Sequence, residues 1–239
     1  MKGRVVLAAA EKTDFMKAAL RLARKGAGMV SPNPLVGAVL VRENKIVGAG
    51  YHHFFGGPHA ERYALKSARG EARGSDLYIN LEPCCHVGKT PPCVDALIAA
   101  GIRRAFIGMQ DPNPRVSGSG IKKLRAAGIA VEVGILEREC RQLNEAFTKH
   151  ITKHIPFVYL KLAASLDGKI ATASGDSKWI TGAASRKLVH RLRSEIDAVM
   201  VGIGTVLGDD PLLTARLHAG AKKNPVRVIV DSRLRTPLA

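Results

Sequence analysis

Apolar positions along the chain follow two spacings. Between residues 13 and 26, Phe15, Met16, Ala19, Leu20, Leu22 and Ala23 recur three and four apart. That period predicts a helix, with Thr13 able to cap it. Segments 35–41 and 45–51 are apolar-rich runs of strand length that meet at Glu43-Asn44, which predicts a hairpin. A helix is expected over 59–69, a strand over 76–81, a helix over 93–100 and a strand over 104–109. A helix over 120–127 and a strand over 129–133 follow, and the first region closes with one helix over 137–150. Gly101 and Gly128 end two of these helices. Pro32 and Pro34 keep 31–34 a loop, and 84–92 reads as another.

After the polar stretch 149–154 the pattern restarts. It predicts strands over 157–162, 198–201 and 226–230, and a helix over 183–193. Strands alternating with helices indicate an α/β architecture. With 239 residues there is room for two modest domains, divided here into 1–150 and 155–239. No repeat and no low-complexity segment interrupts them.

Composition adds little until charge is counted. Hydrophobic residues make up 46% and charged residues 24%, as in ordinary globular chains. No apolar run approaches the ~20 residues of a membrane span. Met1-Lys2-Gly3-Arg4 and the six apolar residues after it read as a basic extension, not a secretory signal. A cytoplasmic protein is therefore expected. The net charge is +17, with 24 basic and 13 acidic residues before Ile155 and 13 and 7 from there on. Both halves are basic, which favours phosphate-bearing partners or nucleic acid. The chain has only eleven aromatic residues, Phe 6, Tyr 4 and Trp 1, and none interleaves with a basic run. Base stacking on nucleic acid needs such aromatics.

The chemistry concentrates in His59-Ala60-Glu61, Pro83-Cys84 and Pro91-Pro92-Cys93. The order matches the H-x-E…P-C-x-x-C pattern of zinc nucleobase deaminases, except that eight residues separate Cys84 from Cys93. A hydrolytic zinc site needs three protein ligands and one position for water. His59 and two thiolates meet that need, and a helix N-terminus at Cys93 favours the thiolate. Glu61, one turn into its helix, could reach the water and move its proton without ligating the metal. Cys85 and His86 are alternative ligands. Cys84 is favoured because Pro83-Cys84 carries the pattern, and His86 is expected in the loop near the substrate. His52 and His53 have no spacing that ties them to the cluster, and Cys140 is expected outside the chemistry.

Taken together, Ser31-Pro32-Asn33-Pro34-Leu35-Val36-Gly37, Pro58-His59-Ala60-Glu61 and the run from Leu81 to Cys93 resemble the bacterial bifunctional deaminase–reductase family of riboflavin biosynthesis. Met109-Gln110-Asp111-Pro112-Asn113-Pro114, the run from Lys161 to Gly168, and Trp179-Ile180-Thr181 extend the resemblance. It implies a cytidine-deaminase-like three-layer α-β-α domain with a mixed sheet, then a partial dihydrofolate-reductase-like α/β domain. The implied reaction is zinc-dependent deamination of 2,5-diamino-6-(5-phosphoribosylamino)pyrimidin-4-one to the uracil. The attached reductase would use NADPH to open the ribose to a ribityl chain.

By the same resemblance His59, Cys84 and Cys93 hold zinc, Glu61 shuttles protons and Asn33 contacts substrate. In the second domain Ala163, Trp179, Thr205, Asp209 and Ser232 would bind the dinucleotide. Ser177, Arg193, Leu213 and Arg216 would bind substrate, the arginines gripping phosphate. The family's later glycine-rich segment has no counterpart before Ala239, so the reductase half is expected to be incomplete. Expected partners are a phosphorylated pyrimidine and NADPH, with no membrane and no nucleic acid, and association of like chains is left open. The competing expectations are a tRNA-type base deaminase or RNA-binding protein, and a structural zinc module closed by a fourth ligand such as His86.

Overall fold

The computed structural model describes residues 9–85, 92–114, 116–217 and 223–237, without the side chains of 9–11. The expected basic extension at 1–4, His86 and most of the 84–92 loop lie outside the described residues. The chain divides into two compact units after Phe157.

In the first unit, α1 (Ala9–Arg24) precedes the hairpin of β1 (Gly37–Arg42) and β2 (Lys45–Tyr51). Glu43 and Asn44 both have positive φ, 50° and 62°. That is the two-residue turn whose twist suits a hairpin. Then come α2 (Ala60–Ser67), β3 (Asp76–Leu81), α3 (Cys93–Ala99), β4 (Arg104–Met109), α4 (Ser119–Ala126) and β5 (Ala130–Val133). Two helices, α5 (Glu137–Leu143) and α6 (Glu145–Lys153), end the unit. The single helix expected over 137–150 is thus broken. Asn144 leaves helical geometry at φ −110° and turns its side chain into the interior.

The five strands run in the order β2-β1-β3-β4-β5. β1 is antiparallel to β2 and β3, and β4 is parallel to β3 and β5, so the sheet is mixed. Strand alternation sends Leu77 and Ile79 to one face, against Ala60, Ala64, Val94, Leu97 and Leu124 of α2, α3 and α4. Tyr78 and Val39 go to the other face, towards Phe15 of α1. Three α-β-α layers result, as expected. The pairing also gathers the start of β1 and the ends of β2, β3 and β4 at one end of the sheet.

Close approach of α2 to β2 depends on Gly50. A Cβ there would lie 2.5 Å from Ala60 O and 2.5 Å from Ala64 N. At the open edge of β2, Ser67 Oγ accepts the Ala49 N–H at 2.7 Å and donates to the Ala49 carbonyl at 2.9 Å.

The second unit contains α7 (Ala183–Glu195), β6 (Ala198–Gly202), α8 (Ile203–Asp209) and β7 (Val226–Val230). β6 and β7 pair in parallel. The strand expected over 157–162 does not form. Its Val158, Tyr159, Leu160 and Leu162 are 58–83% exposed. A strand needs a ladder partner, and among the described residues this segment finds none. Gly202 is the N-cap of α8. No helix among the described residues is long and apolar enough to cross a membrane.

Candidate functional site

Active-site clefts of open α/β sheets lie at the carboxyl ends of their parallel strands. Here that end carries a cavity of about 390 Å³. Its wall takes Asn33, Pro34 and Val36 from the segment before β1, and His52 from the end of β2. His59 and Glu61 come from α2, Glu82 and Cys84 from the exit of β3, and Asp111 and Asn113 from the exit of β4. Phe147, His150 and Ile151 of α6 complete it.

Where His59 and Cys84 line it, the structure brings His59, Cys84 and Cys93 together. His59 is the N-cap of α2, Cys84 lies just past β3, and Cys93 opens α3. His59 Nδ1 is 3.4 Å from Cys84 Sγ and 3.3 Å from Cys93 Sγ. The three ligand atoms all lie within 4.8 Å of one another. A tetrahedral zinc with ordinary Zn–S and Zn–N bonds sets N···S separations of about 3.6 Å, so this donor set fits the ion. Cys84 is held from the α3 side, because its sulfur accepts the Cys93 N–H at 3.4 Å and its carbonyl accepts the Val94 N–H at 3.2 Å.

The two thiols differ. A hydrogen bond from Cys93, joined by His59, holds the Cys84 thiol well below its usual range against the opposing effect of burial. Cys93 is pushed up, first by that same hydrogen bond and then by burial. His59 is raised, chiefly by its hydrogen bond to Cys84. Burial, and then the Cys84 charge, push the Glu61 carboxyl up to about 7. Glu61 is 3% exposed.

Asn33 Nδ2 lies 3.1 Å from His52 Nε2, and His52 Nδ1 lies 3.0 Å from the Pro58 carbonyl. A carbonyl only accepts, so Nδ1 carries the proton and Nε2 accepts from the Asn33 amide. Burial lowers the His52 pKa and keeps the ring neutral. Asn33 thereby keeps its own oxygen for another donor. Two buried asparagines hold the segment behind it. Asn144 Oδ1 accepts the Leu35 N–H at 2.8 Å, and its Nδ2 donates to the Leu35 carbonyl at 3.0 Å. Asn80 donates to the same carbonyl at 2.8 Å and accepts the Gly37 N–H at 2.8 Å.

Other expected positions fall elsewhere. Cys85 is half-buried and packs on the core beneath α2, α3 and α4. His53 is stacked between Tyr51 and Tyr63, 4.0 Å from each ring. Cys140 is fully buried, and its thiol is pushed up to about 12, by burial first. In the second unit Arg193 Nη1 donates to the Thr214 carbonyl at 3.4 Å and Arg216 Nη1 donates to Thr214 Oγ1 at 3.0 Å. The two arginines thus converge beside the buried Leu213. Trp179 is 73% exposed and carries the Arg186 guanidinium 4.2 Å from its ring centroid. Ala163 and Ser177 lie in irregular chain, Thr205 and Asp209 on α8, and Ser232 in the turn after β7.

His52, Glu82, Asp111, Asn113 and the three residues of α6 join the cavity beyond the expected site residues. Asp111 and Asn113 carry a usable signal, as polar residues directly after a strand of the parallel part of the sheet. The α6 residues sit within an ordinary amphipathic pattern and carry none.

Comparison with known proteins matches both units. Residues 9–109 match the cytidine and deoxycytidylate deaminase zinc-binding region, and residues 156–239 match the RibD C-terminal domain. The riboflavin biosynthesis protein RibD of Aquifex aeolicus is 54% identical over 226 residues, 95% of this chain and 63% of that protein. RibD of Escherichia coli is 46% identical over 236 residues, 94% of this chain and 64% of that protein. A crystal structure of a diaminohydroxyphosphoribosylaminopyrimidine deaminase/5-amino-6-(5-phosphoribosylamino)uracil reductase from Thermotoga maritima superposes with a TM-score of 0.89 at 53% identity. It covers 94% of this chain and 64% of that one. The chain therefore spans less than two thirds of the length of these relatives.

Proposed function

Since this chain belongs to the RibD family of riboflavin-biosynthesis proteins, we propose that residues 1–150 form a zinc-dependent pyrimidine deaminase and residues 155–239 part of an NADPH-dependent reductase. The deaminase substrate is 2,5-diamino-6-(5-phosphoribosylamino)pyrimidin-4-one, and the products are the corresponding uracil and ammonia. The observation that carries the reading is the His59–Cys84–Cys93 cluster with Glu61 buried beside it, where His59, Cys84 and Glu61 line one cavity. His59 Nδ1 and the two sulfurs would hold zinc, which when bound supplies a Lewis acid able to activate water at neutral pH.

The chain's own residues do the rest. Glu61, buried beside the cluster, is placed to accept a proton and return it. It takes a proton as water oxygen adds to the ring carbon bearing the amino group, and delivers it first to the adjacent ring nitrogen. A second transfer goes to the amine as the carbon–nitrogen bond breaks, so one water enters and one ammonia leaves. Asn33, oriented by His52, offers its oxygen to a donor on the substrate. The protein's basic charge suits a phosphorylated ligand, and its few aromatics argue against RNA.

In the second unit Arg193 and Arg216 would meet substrate phosphate, with Ser177 and Leu213 beside it. Ala163, Trp179, Thr205, Asp209 and Ser232 would meet NADPH. The deciving assay for the first unit is ammonia release from the diaminopyrimidine phosphate, set against cytidine and tRNA. Release from the phosphate alone supports the proposal, and preference for tRNA overturns it. NADPH titration tests the second unit separately.

A further inference from the structure

The loop after β4 brings Asp111 and Asn113 to the cavity without regular structure to hold it. Glu82 holds it. This residue is 3% exposed, and its carboxylate accepts four backbone N–H groups. Asp111 (3.1 Å) and Gly118 (2.9 Å) donate to Oε2, and Gly120 (2.9 Å) and Ile121 (3.1 Å) donate to Oε1. Among the described residues no cation pairs with it.

The first two donors bracket the loop. The other two are first-turn amides of α4, whose N-cap Gly118 has no side chain to satisfy them. Inside the loop Asp111 Oδ1 accepts the Asn113 N–H at 2.8 Å, and the Asn113 carbonyl accepts the N–H groups of Val116 and Ser117 at 2.9 Å each. The position of the main chain at Glu82 is thus passed to both cavity side chains. Space at this junction is closed, since a Cβ on Gly120 would lie 2.1 Å from Pro83 O.

We propose that Glu82 is a positioning residue of the deamination site, setting the Asp111–Gly118 loop against the cavity and through it the affinity for the pyrimidine substrate. This rests on the deaminase reading above. Among the described residues the Glu82 carboxylate bonds to backbone amides of the Asp111–Ile121 stretch, and Cys84 is anchored separately from α3, so the chemical step is spared.

The test is E82Q in the full chain. The amide keeps the shape but turns a donor towards one of the two pairs of N–H groups, whichever way it lies. Expected are one zinc per chain, kcat within about threefold of wild type, and KM raised ~10-fold or more, the scale of orphaned buried donors. Amide hydrogen exchange at Asp111, Gly118, Gly120 or Ile121 should quicken by a similar factor. N113A combined with E82Q should raise KM by less than the product of the single effects, because the two act through one loop. Unchanged KM, or a fall in kcat alone, overturns the proposal, as does unchanged exchange whatever the activity. A wild-type chain that releases no ammonia would sink the deaminase reading instead, and exchange would still decide whether Glu82 holds the loop. Should E82Q fail to fold, E82D carries the same readouts, with the charge kept but withdrawn by one methylene, and the same outcomes decide.

Discussion

Removing Asn80 and Asn144 singly and together should expose how the segment before β1 is held. Asn144→Ala strips the Leu35 N–H of its acceptor, while the Leu35 carbonyl keeps Asn80. Asn80→Ala strips the Gly37 N–H, while the same carbonyl keeps Asn144. Both side chains are buried, at 2% and 0% exposure, so each orphaned donor costs about 1–3 kcal/mol, and we expect ~2 kcal/mol for each variant. In the double variant the carbonyl loses both partners. That adds a penalty neither single change contains, so the double should exceed the sum by ~1–2 kcal/mol. Urea unfolding measures it. At a slope of ~2 kcal/mol/M, each single change moves the midpoint by about 1 M. The probe matters, because the only tryptophan, Trp179, lies in the second unit. Far-ultraviolet circular dichroism, or exchange of the Leu35 and Gly37 amides, reports on the right unit. Strictly additive costs would show that the shared carbonyl does not couple the two asparagines. Single costs below ~0.5 kcal/mol would show that water replaces them freely.

Glu61→Gln should keep one zinc per chain and slow ammonia release by ~100- to 10,000-fold, since the amide cannot carry a proton; an unchanged rate removes Glu61 from the mechanism. Cys84→Ser and Cys93→Ser should each lower zinc content by metal analysis while Cys85→Ser keeps it, and the reverse pattern would move the ligand to Cys85. Asp76 is buried, which alone would raise its carboxyl, but the guanidiniums of Arg104 and Arg103 outweigh burial and hold it low. Its contribution is complete above the unfolded value of ~3.9 and is lost as pH falls through the lower folded value. Asp76→Asn should therefore cost ~2 kcal/mol at neutral pH and flatten the acid limb of a stability–pH curve, which a set of urea titrations would read.

Much of the first unit is legible in sequence because its signals are local. Apolar-rich runs of strand length mark β1 to β4, and Glu43-Asn44 marks the hairpin. The cluster of His59, Cys84 and Cys93 is foreshadowed by motif order, although its members lie 25 and 34 residues apart. What the sequence hides depends on partners far along the chain. Asn144 breaks a helix whose apolar period runs through it, because its side chain finds Leu35, 109 residues away. Glu82 looks like any strand-end carboxylate until four amides from 29 to 39 residues downstream converge on it. His52 is unattached by spacing, yet it decides which end of Asn33 faces the cavity. The run at 157–162 has strand composition but forms no strand among the described residues, so composition alone misleads there. Gly202, Gly204 and Gly208 conceal α8, because glycine weakens the helical signal.

The seal that Ser67 places over Ala49 has a bearing on how this sheet meets other molecules. An edge strand is a template, and its bare amide and carbonyl invite a foreign strand to continue the ladder. Here one hydroxyl occupies both groups in the middle of β2. At the far edge β5 is only four residues long and carries Glu132 in an ion pair with Lys12. Neither margin offers an uninterrupted row for strand addition. Any self-association of the first unit is thereby directed to side-chain surfaces, where shape and charge choose the partner, and away from the indiscriminate chemistry of the backbone.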